Sequence, residues 1–239
     1  MHASKYLAAI AVCLTATFAQ AAGFRLLDVP ADADGPALKG AMWYPCTQPP
    51  GEIALGRYTL LVARDCPISG ERLPLVVVSP GNRGSFLNFY DLAETLTDAG
   101  FVVAAINHPG DTTIDNSRFL WDFVERPTDI KRLIDFMLGA SPAMSKIDPE
   151  RIGFFGYSQG GYTGLVLLGA DLDWAAATEY CQRLQSPYPY PGCEQVHRKE
   201  FPTQPVAHDP RIKAAVIADP HSGFFTAASL AAVKAPVQL

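Results

Sequence analysis

Four apolar runs leave this chain few ways to fold. "LPLVVVS" (73–79), "FVVAAIN" (101–107), "RIGFFG" (151–156) and "IKAAVIAD" (212–219) are continuous rather than alternating. Strands of that kind are buried on both faces, as in a parallel sheet covered by helices. Helical patterns fill the gaps. In "FLNFYDLAETLTDAG", Phe89, Leu92, Ala93 and Leu96 share a face, and Gly100 follows as a stop. In "RPTDIKRLIDFMLG", Ile130, Leu133, Ile134, Met137 and Leu138 recur at helical spacing, with Pro127 near the start. Strand and helix in alternation predict an α/β domain with a mostly parallel sheet. "AMWYP" and "RYTLLVA" read as antiparallel edge strands ahead of it, and the closing "APVQL" as the opening of another strand.

The first residues need a separate reading. Lys5 gives a positive start, Leu7 to Phe18 an apolar run too short to span a bilayer comfortably, and Ala19-Gln20-Ala21 a small-x-small site. A cleaved leader over 1–21 is expected, leaving a domain of 22–239 exported to a periplasm or medium, without a membrane anchor. Cys13 falls in the leader, and Val12 before it is too bulky for a lipoprotein processing site. Four cysteines remain, which allow three pairings. The local one, Cys46–Cys66 with Cys181–Cys193, fits best because each pair brackets one loop-rich stretch. No CxxC or closely spaced Cys/His pair suggests a metal site. A formal charge of −5 with no basic block argues against a nucleic-acid partner.

One stretch breaks the alternation. Residues 171–209, with "SPYPYPGCEQVHRKEFPTQPVAHDP" toward their end, are dense in Pro, Tyr and charge. A connection that long is functional or disordered. It reads as a cap over the C-terminal edge of the sheet.

The chemistry centres on "RIGFFGYSQGGYTGLVLLGA". Gly156-Tyr157-Ser158-Gln159-Gly160 fits G-x-S-x-G, preceded by a buried strand and followed by an apolar helix. In that context the serine stands on a strained strand-to-helix turn, exposed as a nucleophile. Side chains at Gly156 or Gly160 would clash across the turn, and Gly161 and Gly164 would let the helix lie against the strands. A serine attacking a carbonyl needs donors for the developing oxyanion. The backbone N–H of Gln159 is one candidate. The N–H of Asn82, in "SPGNRGS" after the strand 73–79, is the other.

With these motifs in order, the chain resembles the α/β-hydrolase superfamily, and within it the dienelactone-hydrolase-like and platelet-activating-factor-acetylhydrolase-like esterases. The similar segments are "MWYPC", "LPLVVVSPGNRGS", "LTDAGFVVAAINHPGDT", "RPTDIKRLIDFM", "DPERIGFFGYSQGGYT" and "RIKAAVIADP". The resemblance implies an α/β-hydrolase fold with a cap insertion after the nucleophile helix. It also implies an acid after the next strand, at Asp219, although an Asp before Pro220 equally suits a turn. The histidine of such a site follows the acid. His221 does so, but two residues leave little room to reach both Asp219 and Ser158. His108 is expected at the rim of the site, and His197 and His208 in the cap. The expectation is therefore that the general base lies outside this chain, that the C-terminal sheet edge is incomplete and that the parent protein continues.

The function expected is an exported serine hydrolase cleaving carboxylic esters, with no cofactor and a small ester or lipid-like substrate. The rival is an inactive relative that binds such a ligand without turnover. A dinucleotide-dependent oxidoreductase is disfavoured, since no G-x-G-x-x-G follows an early strand.

Overall fold

The computed structural model describes residues 21–118, 120–184 and 192–239, so the expected leader, save Ala21, lies outside the described residues. The described residues form β1 (Ala21–Val29), β2 (Leu38–Cys46), β3 (Gly51–Leu55), β4 (Tyr58–Arg64), β5 (Leu73–Ser79), β6 (Val102–Ile106), β7 (Ile147–Tyr157), β8 (Ile212–Ala218) and β9 (Val237–Gln238). They make one sheet in the order β3-β4-β1-β2-β6-β5-β7-β8-β9. From β6 to β9 every neighbour is parallel. The four continuous apolar runs are thus consecutive strands of the sheet; β6 is buried along its whole length, whereas β8 leaves Ala214 and Val216 exposed on one face.

The early strands sit differently from the expectation. β2, which contains "AMWYP", is not an edge strand but lies between β1 and β6, antiparallel to both. Trp43 and Tyr44 on its two faces are fully buried. β4 is also interior, antiparallel to β3 and parallel to β1. β1 itself has no counterpart among the expected strands, because its residues directly follow the leader pattern.

Five helices surround the described sheet: α1 (Tyr90–Asp98), α2 (Asp122–Gly139), α3 (Gln159–Leu167), α4 (Trp174–Arg183) and α5 (Cys193–His197). Ile130, Leu133, Ile134 and Met137 of α2 pack with Leu165 and Leu167 of α3 in one core. Ala93 of α1 packs on the other side with Phe24, Trp43 and Leu60. α2 starts before the expected point, so Pro127 lies inside the helix. Proline cannot donate to the carbonyl four residues back. The Tyr162 hydroxyl of α3 donates to that carbonyl, Phe123 O, at 2.9 Å instead. One side chain thereby repairs the helix and ties it to α3.

The sulfurs of Cys46 and Cys66 are bonded, as are those of Cys181 and Cys193. The second bond joins α4 to α5, within the insertion between α3 and β8. The first closes a 20-residue separation around the β3–β4 hairpin, and both its cysteines are in the core. Replacing Cys46 and Cys66 together by Ala should cost about 3 kcal/mol, from the greater freedom of the unfolded chain. Urea denaturation measures it, and a loss under about 1 kcal/mol would contradict that account.

Candidate active site

Ser158 is the single residue between the end of β7 and the start of α3. Its backbone has φ 54° and ψ −115°, a left-handed conformation rare for a side chain other than glycine. Three bonds hold it there. Its N–H donates to Ala218 O at 2.9 Å, and its carbonyl accepts from Tyr162 N at 3.0 Å and His221 N at 3.1 Å. The hydroxyl does not cap α3, the usual work of a serine at a helix start. It is half-buried, beside the exposed Tyr157.

The glycines make the turn sterically possible. A Cβ on Gly156 would lie 2.2 Å from Gly160 O, and one on Gly160 would lie 1.9 Å from Ser79 O. A Cβ on Gly164 would meet the Phe154 ring at 2.4 Å, so α3 rests on β7 where a side chain would hold it off.

The turn after β5 faces the serine. A Cβ on Gly81 would be 3.4 Å from Ser158 Cβ and 3.3 Å from the Tyr157 ring. The Asn82 side chain points away from this contact, donating to Asp111 Oδ1 at 2.7 Å and Asn116 Oδ1 at 3.2 Å. Gln159 opens α3, where first-turn N–H groups have no acceptor within the helix and the helix dipole is positive. Gln159 thus adjoins Ser158 in the chain, and Asn82 adjoins Gly81, the residue of the β5 turn that approaches it.

Asp219 is exposed at the end of β8, directly after Ala218, whose carbonyl takes the Ser158 N–H. It too is left-handed, with φ 45°. The His221 ring lies in an aromatic group, 5.4 Å from the rings of Phe123 and Tyr180 and 5.1 Å from that of Phe224. Burial there lowers its pKa to about 4, so the ring is neutral at pH 7. Among the described residues no histidine ring is hydrogen-bonded to Ser158 or Asp219. His197 ends α5, and His208 lies 3.6 Å from Asp171, both on the insertion. His108 is not at the rim, as expected from sequence, but buried with 1% of its surface exposed. Its Nε2 is 3.1 Å from Ser79 Oγ and its Nδ1 is 2.9 Å from Asp129 Oδ2. This Ser–His–Asp chain is sealed from solvent and braces the end of β5. Burial, then the Arg126 charge, keeps the His108 pKa well below the ordinary value.

Residues 88–181, which include the turn at Ser158, match the prolyl oligopeptidase family. No curated protein is similar to the chain. Among solved structures, a ferulic acid esterase from Streptomyces cinnamoneus has a TM-score of 0.58 and 20% identity, covering 93% of this chain and 65% of that one. The chain has the α/β-hydrolase fold. It spans under two thirds of that esterase's length. DcsB in complex with its substrate analogue is more distant, with 16% identity, a TM-score of 0.46 and coverage of 86% and 48%.

Sequence reading of this α/β-hydrolase-fold chain missed a buried charge cluster against the turn after β5. Asp111, Asp122 and Arg126 are all 1% exposed or less, with Asp129 beside them. Arg126 Nε lies 3.3 Å from Asp111 Oδ2, and Arg132 Nη1 lies 3.6 Å from Asp129 Oδ1. Asp122 has no such partner for its Oδ2. Burial, reinforced by the Asp111 charge, pushes its pKa up to about 8. A signal was present: Asp122, Arg126 and Asp129 are spaced i, i+4, i+7, which places three charges on one helix face. Nothing local says that this face is turned inward.

Proposed function

We propose that the chain belongs to an exported serine hydrolase that cleaves carboxylic esters, with Ser158 as the nucleophile. One observation carries the reading. Ser158 holds a strained left-handed backbone between strand and helix, with a hydroxyl not used for capping, in the α/β-hydrolase fold. A serine merely completing a Gly-rich loop would have no reason to keep that strain.

In this mechanism the Ser158 oxygen attacks the ester carbonyl, and the carbonyl oxygen becomes an oxyanion between the N–H groups of Asn82 and Gln159. Collapse expels the alcohol and leaves an acyl group on Ser158, which water then removes. Asp219 is the acid that orients the histidine base. Neutral His221 has the right protonation state for a base, and its ring lies among those of Phe123, Tyr180 and Phe224. The two disulfides suit an oxidising compartment. Among the described residues no helix is long and apolar enough to cross a membrane. The aromatic insertion suits a small ester or lipid-like substrate.

A fluorophosphonate probe tests the assignment on the full-length protein. Labelling is expected on Ser158, and Ser158→Ala should reduce it at least about a thousandfold. A full-length protein that takes no label, or labels equally well without Ser158, would overturn the enzyme reading. It would leave a protein that binds esters without turning them over.

A further inference from the structure

The turn after β5 poses a problem of its own. It closes with Gly84 N–H donating to Gly81 O at 3.0 Å. Arg83 within it has φ 58°, a conformation that disfavours a side chain. Left to itself, such a turn would relax. It must stay in place if the Asn82 N–H is to meet an oxygen on the carbon bound to Ser158, because a donor displaced by about 1 Å loses most of its effect.

Two buried groups hold it from opposite ends. Arg126 Nη2 donates to Pro80 O at 2.7 Å and to Gly81 O at 3.3 Å, gripping the entry to the turn. Asp111 Oδ1 accepts the Asn82 Nδ2–H at 2.7 Å and the Arg83 N–H at 2.5 Å, gripping its exit. Arg126 Nε and Asp111 Oδ2, 3.3 Å apart, join the two grips through opposite charge. Both side chains are fully buried. The backbone N–H of Asn82 lies between the gripped carbonyls and the gripped Arg83 N–H, and neither grip uses it.

Stability alone does not explain this choice. The hydration lost on burying an ion pair can exceed what the mutual attraction returns, so a well-packed apolar pair of equal volume is often as stable or more so. Arg126 even leaves Nε and Nη1 without a hydrogen-bond acceptor. What the pair supplies, and an apolar pair could not, is directional bonding to four groups of one five-residue turn.

We infer that Asp111 and Arg126 are positioning residues that fix the Pro80–Gly84 turn so that the Asn82 N–H is aimed at the oxyanion formed at Ser158. The inference rests on the serine-hydrolase reading above. It adds a specific dependence that the reading does not require: the donor is only as good as the buried pair that holds it.

The test uses the full-length protein and a fluorophosphonate, measuring both the labelling rate and the ³¹P chemical shift of the phosphonyl group on Ser158. The phosphoryl oxygen takes the place of the oxyanion, so the shift in the folded adduct should differ from that in the urea-unfolded adduct. Asp111→Ala is expected to slow labelling about a hundredfold and to move the folded shift most of the way toward the unfolded value. A purely structural role would lower the melting temperature while leaving the folded adduct's shift and rate unchanged; that result overturns the inference. If Asp111→Ala does not fold, Asn82→Ala decides. It removes one grip at the partly buried end and keeps the backbone donor, so labelling should slow about tenfold with the shift moving the same way. An unaltered shift and rate in a folded Asn82→Ala overturns the inference too. Absence of labelling in the unsubstituted protein counts instead against the serine-hydrolase reading.

Discussion

Gly160→Ala is expected to be among the most damaging single-methyl changes in this chain. The new Cβ would sit 1.9 Å from Ser79 O and 2.8 Å from Pro80 O, both backbone atoms. Neither can retreat cheaply. Ser79 is paired in register with Gly156 in β7, and its hydroxyl is bonded to buried His108. Pro80 O is held by Arg126. Relief therefore requires α3 to lift from the sheet or the turn after β5 to move, and either separates the groups around Ser158. A loss of more than about 4 kcal/mol is expected, with fluorophosphonate labelling lost in whatever folds. Gly139→Ala is the control, since a Cβ there has nothing within 4 Å and the residue ends α2. It should be neutral or gain up to about 1 kcal/mol from better helix propensity. Urea denaturation of the two variants side by side decides it; a Gly160→Ala protein as stable as Gly139→Ala would contradict the packing described.

Asp122→Asn should do the reverse and stabilise the fold, in a way that depends on pH. The Asp122 carboxyl ionises near 3.8 in the unfolded chain but only near 8 in the folded one, because burial and the neighbouring Asp111 charge oppose its ionisation. Between those values folding takes up a proton, so Asp122 makes the protein less stable as pH rises through that window. Asparagine keeps the shape and never ionises. The variant should gain roughly 2–4 kcal/mol over the unsubstituted protein at pH 7.5. The gap should shrink toward zero near pH 4, where the acid is protonated in both states. Melting curves from pH 4 to 8 test this. A gap that stays constant or widens as pH falls would mean that Asp122 is ionised in the folded protein, paired with Arg126.

Much of the scaffold is legible from local pattern. The four continuous apolar runs are the four strands β5 to β8, since runs without polar alternation suit the parallel part of a covered sheet, although β8 departs by exposing Val216. Gly100, expected as a stop, follows α1 with φ 90°. The spacing of Gly156 and Gly160 about Ser158 already implies a turn too tight for side chains. Pattern fails where a residue's place depends on distant partners. "AMWYP" alternates no better than an edge strand should, and only its pairing with β1 and β6 shows it to be interior. His108 has the local features of a loop residue at a strand end, and its burial follows from α2 crossing above it.

The candidate site divides along the same line. Sequence alone determined that Ser158 stands between a buried strand and a helix on a turn crowded by glycines, because that is set by residue type within a few positions. Tertiary structure alone decided what holds the turn and where the histidines point. Asp111 and Arg126 are 29 and 45 residues from the groups they grip, and the charges on α2 are placed over the turn only when the helix packs. The reason is physical. Steric limits at a glycine are local, whereas the stability of a buried charge depends on every element that removes its water.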